Sequence, residues 1–175
     1  NVQLNFRPIA DVNNNPRNPV INTRSFGEVP AAVGALASAY IRGLHAGGMM
    51  ATLKHFPGHG DTDVDSHLGL PIINSPRARL DAVELPPFKA GIAAGADAVM
   101  TAHIELPVLD NGAFAPSSLS EAVITGLLRG EMKFDGLVYT DSMGMDAVSK
   151  ALSPGEAAVR AIKAGNDIVL HSPDD

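Results

Sequence analysis

Short apolar runs alternate with helix-spaced segments along nearly the whole of this 175-residue chain, and that alternation restricts the fold more than any other feature. Residues 2–10 alternate like a strand, weakened at Pro8 because proline gives no ladder hydrogen bond. Residues 29–45 carry Val33, Leu36, Ala37, Tyr40, Ile41 and Leu44 on one helical face and close on Gly47-Gly48. Residues 49–56 are a second strand. Residues 77–94 have helical spacing again, with Leu80, Val83, Phe88 and Ile92 inward, and Pro86-Pro87 are expected to split this helix. A third strand at 97–103, a helix at 118–129 and a fourth strand at 136–141 follow. The pattern closes with a helix at 154–164, opened by Pro154 and ended by Gly165, and a fifth strand at 167–171.

Strands that alternate with helices of this length imply a parallel sheet with right-handed crossovers. Both a doubly wound open sheet and a (β/α)8 TIM-type barrel have that α/β pattern. Four successive runs end on ionisable groups: Lys54-His55, His103, Asp141 and His171. In a barrel these ends share one face and converge on one axis. An open sheet builds its site mainly at one switch point, and no glycine-rich dinucleotide fingerprint follows any run. The barrel is therefore the expected fold. Eight strands typically need about 250 residues, so residues 1–175 are read as a partial barrel of about five C-terminal β/α units, a catalytic domain lacking its opening strands.

The net charge of −6 and the lack of a basic cluster argue against a nucleic-acid partner. No apolar run is long enough to span a membrane. With no cysteine, disulfides and thiolate chemistry are excluded and the compartment stays open.

The densest polar stretch is residues 54–67, Lys54-His55-Phe56-Pro57-Gly58-His59-Gly60-Asp61-Thr62-Asp63-Val64-Asp65-Ser66-His67. It follows directly on an apolar run, so it occupies a strand end, where α/β folds build sites. Asp65 and His67 can form a carboxylate–imidazole pair, in which the acid orients the ring and raises its basicity. Alternatively, Asp65 bonds its own backbone in a turn. Asp141, at the end of another apolar run, is a nucleophile, a metal ligand or the N-cap of a helix over 143–148. A strand-end carboxylate with an Asp–His proton-transfer pair is the equipment of double-displacement glycoside hydrolysis. The competing chemistry is a metal-dependent hydrolase built on His55, His59 and His67, with His103, Asp61, Asp63 and Asp65 as further ligands. The ligand types suit that reading, but their spacing matches neither His-Glu-x-x-His nor any Cys/His finger. A third reading is an inactive sugar-binding fragment.

Residues 54–67 with Leu70-Pro71, Asn22-Thr23-Arg24-Ser25-Phe26-Gly27, Ala102-His103 and Tyr139-Thr140-Asp141-Ser142-Met143 together resemble the bacterial β-N-acetylhexosaminidases of glycoside hydrolase family 3. The resemblance implies a retaining glycosidase that removes terminal β-linked N-acetylglucosamine without a cofactor or metal. Asp141 would be the nucleophile and His67 the general acid/base, assisted by Asp65. Lys54, His55 and Arg24 would hold sugar hydroxyls. His103 stands with this binding set, with a satisfied core histidine as its other reading. The implied partner is a small carbohydrate, such as a muropeptide or a chitin oligomer. The β-glucosidase branch of the family is less similar, having Trp where this chain has Ser142 and taking its acid/base from a second domain. In the family a sugar-binding Asp lies before the region matching Asn1. A histidine acid also repels an incoming anion less than a carboxylate does, so phosphate is a candidate replacement for water.

Overall fold

A computed structural model describes residues 3–110 and 116–170. Four parallel strands, β1 (Leu4–Asn5), β2 (Met50–Phe56), β3 (Ala98–Thr101) and β4 (Leu137–Thr140), pair in sequence order. That order never reverses, so the described strands have no switch point of the doubly wound kind. A fifth segment joins β4 through a single bridge, Tyr139 to Ile168. The strand expected at 167–171 is thus a bridge among the described residues, and His171 lies outside them.

Pro8 has the expected effect on the first run. The regular strand stops at Asn5, although Thr52 N still donates to Arg7 O and Ala10 N to Lys54 O. The chain therefore stays in register and delivers the next residue, Asp11, beside His55. The Arg7–Pro8, Lys54–His55 and Phe56–Pro57 peptide bonds are cis, and the β2–β3 register shifts between Leu53 and Phe56.

The expected helices form at Pro30–Ala46 and Pro154–Ala164. Residues 77–93 are helical throughout, and the two prolines do not split them. Instead a π-helical turn, Leu80–Glu84, stands just before Pro86, where proline removes the usual α-helical donors. Ala122–Glu131 is also π-helical. The helices cover one face of the sheet, where Ile41, Phe88 and Leu127 pack with Leu53, Val99 and Val138. The opposite face holds a smaller cluster of Ala98, Met100 and Tyr139, with Leu4 and Leu170 against it. β3 is buried on both faces, which is why its sequence is a continuous apolar run.

One device recurs at the N-terminal ends of the strands. Asp97 Oδ2 accepts from Ala51 N and pairs with His45, both at 2.8 Å. Asp167 Oδ2 accepts from Val138 N at 2.7 Å and from Arg129 at 2.8 Å. Each carboxylate stitches its own strand to the preceding one. Beside them lies a cavity of about 670 Å³, at the opposite end of the sheet from His55 and His103.

Candidate active site

The polar side chains expected to converge are set at the C-terminal ends of the strands, and their organiser is a residue the sequence reading did not select. Asp11 is fully buried. Its Oδ2 accepts from His55 Nδ1 at 2.7 Å and from His55 N at 3.1 Å, and its Oδ1 accepts from His59 N at 2.7 Å. Burial disfavours the charge, but the imidazoles of His55 and His59 and the hydrogen bonds more than offset it, so the carboxyl is held below its ordinary range. With Nδ1 committed to Asp11, the other ring nitrogen of His55, Nε2, faces Asp141 Oδ2 at 3.9 Å.

Asp141 follows β4 directly. Its Oδ1 accepts from Ser142 N at 2.8 Å, and its side chain keeps 22% of its surface open. It is not a helix cap, since the next helical turn, Asp146–Ser149, has Met145 at its N-cap. Desolvation raises its pKa, but His55, the Ser142 amide, His103 and Lys54 outweigh that and lower it, so Asp141 is an ionised, partly open carboxylate. Lys54 is half-buried, and its pKa is lowered by desolvation and by the like charges of Arg24 and Arg7, against the pull of Asp141 and Asp11. Arg24 lies in the helical turn Asn22–Arg24, mostly in solvent, bonded to Val20 O at 3.1 Å. Lys54 thus feels two carboxylates and two further cations at one end of the sheet.

The substrate contact expected of His103 does not fit the structure. The ring is fully buried, and both nitrogens are occupied: Nε2 donates to Ser142 O at 2.9 Å and Nδ1 pairs with Ser118 Oγ at 2.7 Å. Desolvation lowers its pKa against the pull of Asp141, so a neutral His103 fixes the backbone just after Asp141.

The loop after β2 is pinned from several sides. Asn18 Nδ2 donates to His59 O at 2.8 Å and to Gly60 O at 2.9 Å. A Cβ on Gly60 would lie 1.8 Å from Val12 O, and one on Gly58, at φ +131°, would meet Glu84 at 2.9 Å. The two glycines therefore permit close packing rather than supply looseness. Arg79 bridges Asp61 and Glu84 at 3.2 and 3.3 Å. Farther along, Asp65 Oδ1 accepts from both His67 Nδ1 and His67 N at 2.8 Å. The imidazole pairing and the backbone-bonded turn, which stood as alternatives in the sequence, are both present. Desolvation opposes the charge on Asp65, but its bonds to His67 prevail and lower its pKa. The His67 side chain is 60% exposed, and its Nε2 bonds to none of the described residues. No hydrogen bond joins His67 to Asp141 among the described residues.

The metal alternative finds no support in this geometry. The described residues contain no group of three or more His, Asp or Glu side chains arranged to hold an ion. Asp61 pairs with Arg79, Asp63 lies 3.5 Å from Arg17 at the surface, and both His59 nitrogens bond to hydroxyls.

Parallel strands of unbroken order end here in carboxylates paired with imidazoles, the place where α/β enzyme scaffolds build their sites. The model of the glycosyl hydrolase family 3 N-terminal domain matches residues 1–175, and the chain belongs to that family. A beta-hexosaminidase of Stenotrophomonas maltophilia (strain R551-3) is 46% identical over 172 residues, which are 97% of this chain and 49% of the relative. The solved structure of a family 3 beta-N-acetylglucosaminidase from Paenibacillus sp. is 50% identical, with a TM-score of 0.94 over 97% of this chain and 32% of that one. A beta-glucoside phosphorylase is 31% identical, with a TM-score of 0.94 over 99% of this chain and 33% of that one. The chain spans between 30% and 49% of the length of the first curated relatives it matches.

Proposed function

We propose that these residues carry the catalytic centre of a retaining β-N-acetylhexosaminidase, on an arc of a (β/α)8 barrel whose other strands come from sequence outside residues 1–175. The observation that carries the reading is Asp141, a strand-end carboxylate that is ionised, partly open and 3.9 Å from an imidazole held by a buried acid. In the first step Asp141 attacks the anomeric carbon of a terminal N-acetylglucosamine. The glycosidic bond breaks, and its oxygen leaves with a proton from His67 Nε2. In the second step His67 takes a proton from water, the hydroxide attacks the same carbon, and the carboxylate is released.

The accessible Nε2 of His67 and the hold of Asp65 on Nδ1 support the acid/base role, because a carboxylate on one nitrogen strengthens the base at the other. Lys54, Arg24 and the free edge of His55 are the groups available to sugar hydroxyls. The match to beta-hexosaminidases supports the choice of N-acetylglucosaminide over glucoside.

Asp141→Ala in the full-length enzyme tests this. Loss of the nucleophile is expected to lower kcat on an aryl N-acetyl-β-glucosaminide by at least ~10³-fold. Turnover within a few-fold of wild type would overturn the assignment.

A further inference from the structure

His59 is buried to 2% exposure, carries an imidazole, and has no part in the proposed chemistry. Its hydrogen bonds show what it holds. The Thr62 hydroxyl has one proton, and the His59 carbonyl oxygen accepts it at 3.1 Å. With that proton on the carbonyl, Thr62 Oγ1 accepts from the ring, which assigns the hydrogen to His59 Nδ1, 2.8 Å away. In the neutral ring Nε2 is then a lone pair, and the hydrogen of Ser66 Oγ points to it at 3.0 Å. Neutrality is the favoured state here, since desolvation first, and then the charge of neighbouring His55, lower the His59 pKa to about 4.

Ser66 is itself buried, and it stands between Asp65 and His67. While its side chain reaches inward to His59, its carbonyl accepts from Ala147 N at 3.3 Å, in the segment that follows Asp141. The other end of the connection is Asp11, whose Oδ1 holds His59 N and whose Oδ2 holds His55. One set of bonds thus runs from the His55 side of the pocket to the residue that separates the acid/base pair.

We infer that the His59–Ser66 hydrogen bond is a strut that positions the Asp65–His67 pair relative to Asp141. His59 and Ser66 are positioning residues and touch no substrate. The inference rests on the acid role proposed for His67. It follows from a mismatch of burial: His67 is 60% exposed on an outer loop, and between its two members the pair has one buried anchor, Ser66. Without that anchor, Asp65 and His67 still bond to each other but lose their place over the leaving group. A general acid displaced by about 1 Å loses much of its effect, whereas the nucleophile keeps its own.

The test is kcat/KM of the full-length enzyme on aryl N-acetyl-β-glucosaminides of graded leaving-group acidity, since only poor leaving groups need the proton. Ser66→Ala is expected to lose ~10–100-fold on the poorest leaving group and less than ~3-fold on the most activated one. His59→Asn, whose short amide can replace Nδ1 but not Nε2, is expected to behave like Ser66→Ala. His59→Gln, whose carboxamide oxygen can accept from Ser66, is expected to restore most of the loss. His67→Ala runs alongside as the reference. If His67→Ala shows a steep leaving-group dependence and Ser66→Ala shows none, or an equal loss across the series, the strut is overturned and the acid role stands. If His67→Ala shows no such dependence, the acid role fails and the strut fails with it.

Discussion

Removing Asp11 is the perturbation whose cost follows most directly from the structure. Its carboxylate serves three buried donors: the backbone amides of His55 and His59, and His55 Nδ1. Asp11→Ala strands all three. Each unpaired donor costs ~1–3 kcal/mol, and relaxation recovers part of the sum. About 4 kcal/mol is therefore the expected loss. For a domain of this size 1 kcal/mol moves the midpoint by ~2–4 °C, giving a fall of roughly 10 °C. Thermal and urea unfolding at pH 7, followed by circular dichroism, measure both quantities. Asp11→Asn, which keeps one strong acceptor, belongs between the two. The folded-state pKa of Asp11 is lowered, so its stabilisation is complete above the unfolded value and fades only as pH falls through the folded one. The gap between wild type and Asp11→Ala is therefore constant across neutral pH and closes in strong acid. A cost below ~1 kcal/mol, or a gap that closes between pH 8 and 6, would refute the account of Asp11 as the hub of the site.

Two further outcomes follow. The folded-state pKa of His59 is lowered to about 4 from 6.5, so its stabilisation is complete above pH 6.5 and is lost as pH falls toward 4. Between pH 7 and pH 5 that amounts to ~2 kcal/mol, and urea titrations at the two values should show it in wild type but not in His59→Gln; equal slopes would contradict it. Lys54, which acts on Asp141, and Arg24 and Arg7, which act on Lys54, suit an anionic acceptor, so phosphate is expected to compete with water for the glycosyl-enzyme. Phosphorus NMR of a reaction in phosphate buffer should show a sugar 1-phosphate, and free N-acetylglucosamine as the sole product would refute the idea.

Much of the fold was legible because its strands are buried on both faces and its helices on one. The apolar run over 97–103 and the spacing 33-36-37-40-41-44 need no tertiary information to be recognised. Misreadings arose where backbone hydrogen bonding departs from the standard ladders. Pro86-Pro87 read as a break because they lack α-helical donors, and the π turn over Leu80–Glu84 absorbs that defect without ending the helix. Asp141 was open to reading as a cap because Asp caps helices well. The next turn starts several residues later, which leaves its carboxylate without a helix to cap.

The site was half legible, and the half that was missed has one physical cause. Lys54, His55, Asp65, His67 and Asp141 advertise themselves through ionisable side chains at apolar strand ends or in a dense loop. Asp11 satisfies the same rule, following Ile9-Ala10 as Asp141 follows Tyr139-Thr140. Pro8 hides it in the sequence, because a proline makes the run before Asp11 look a poor strand. Yet Pro8 sits where the chain needs no donor of its own: Pro8 O still accepts from Lys54 N, and Ala10 N donates to Lys54 O. A proline tolerated inside a parallel pair is therefore a signal that the run continues, and that the acid after it belongs to the site. His103 ends a strand too, and the sequence leaves it two readings, a substrate contact and a satisfied core histidine. Position at a strand end selects candidates, but only partners decide between them. Both nitrogens of His103 are occupied, whereas His67 keeps one free, and a histidine that has spent both nitrogens on its own protein has none left for a substrate.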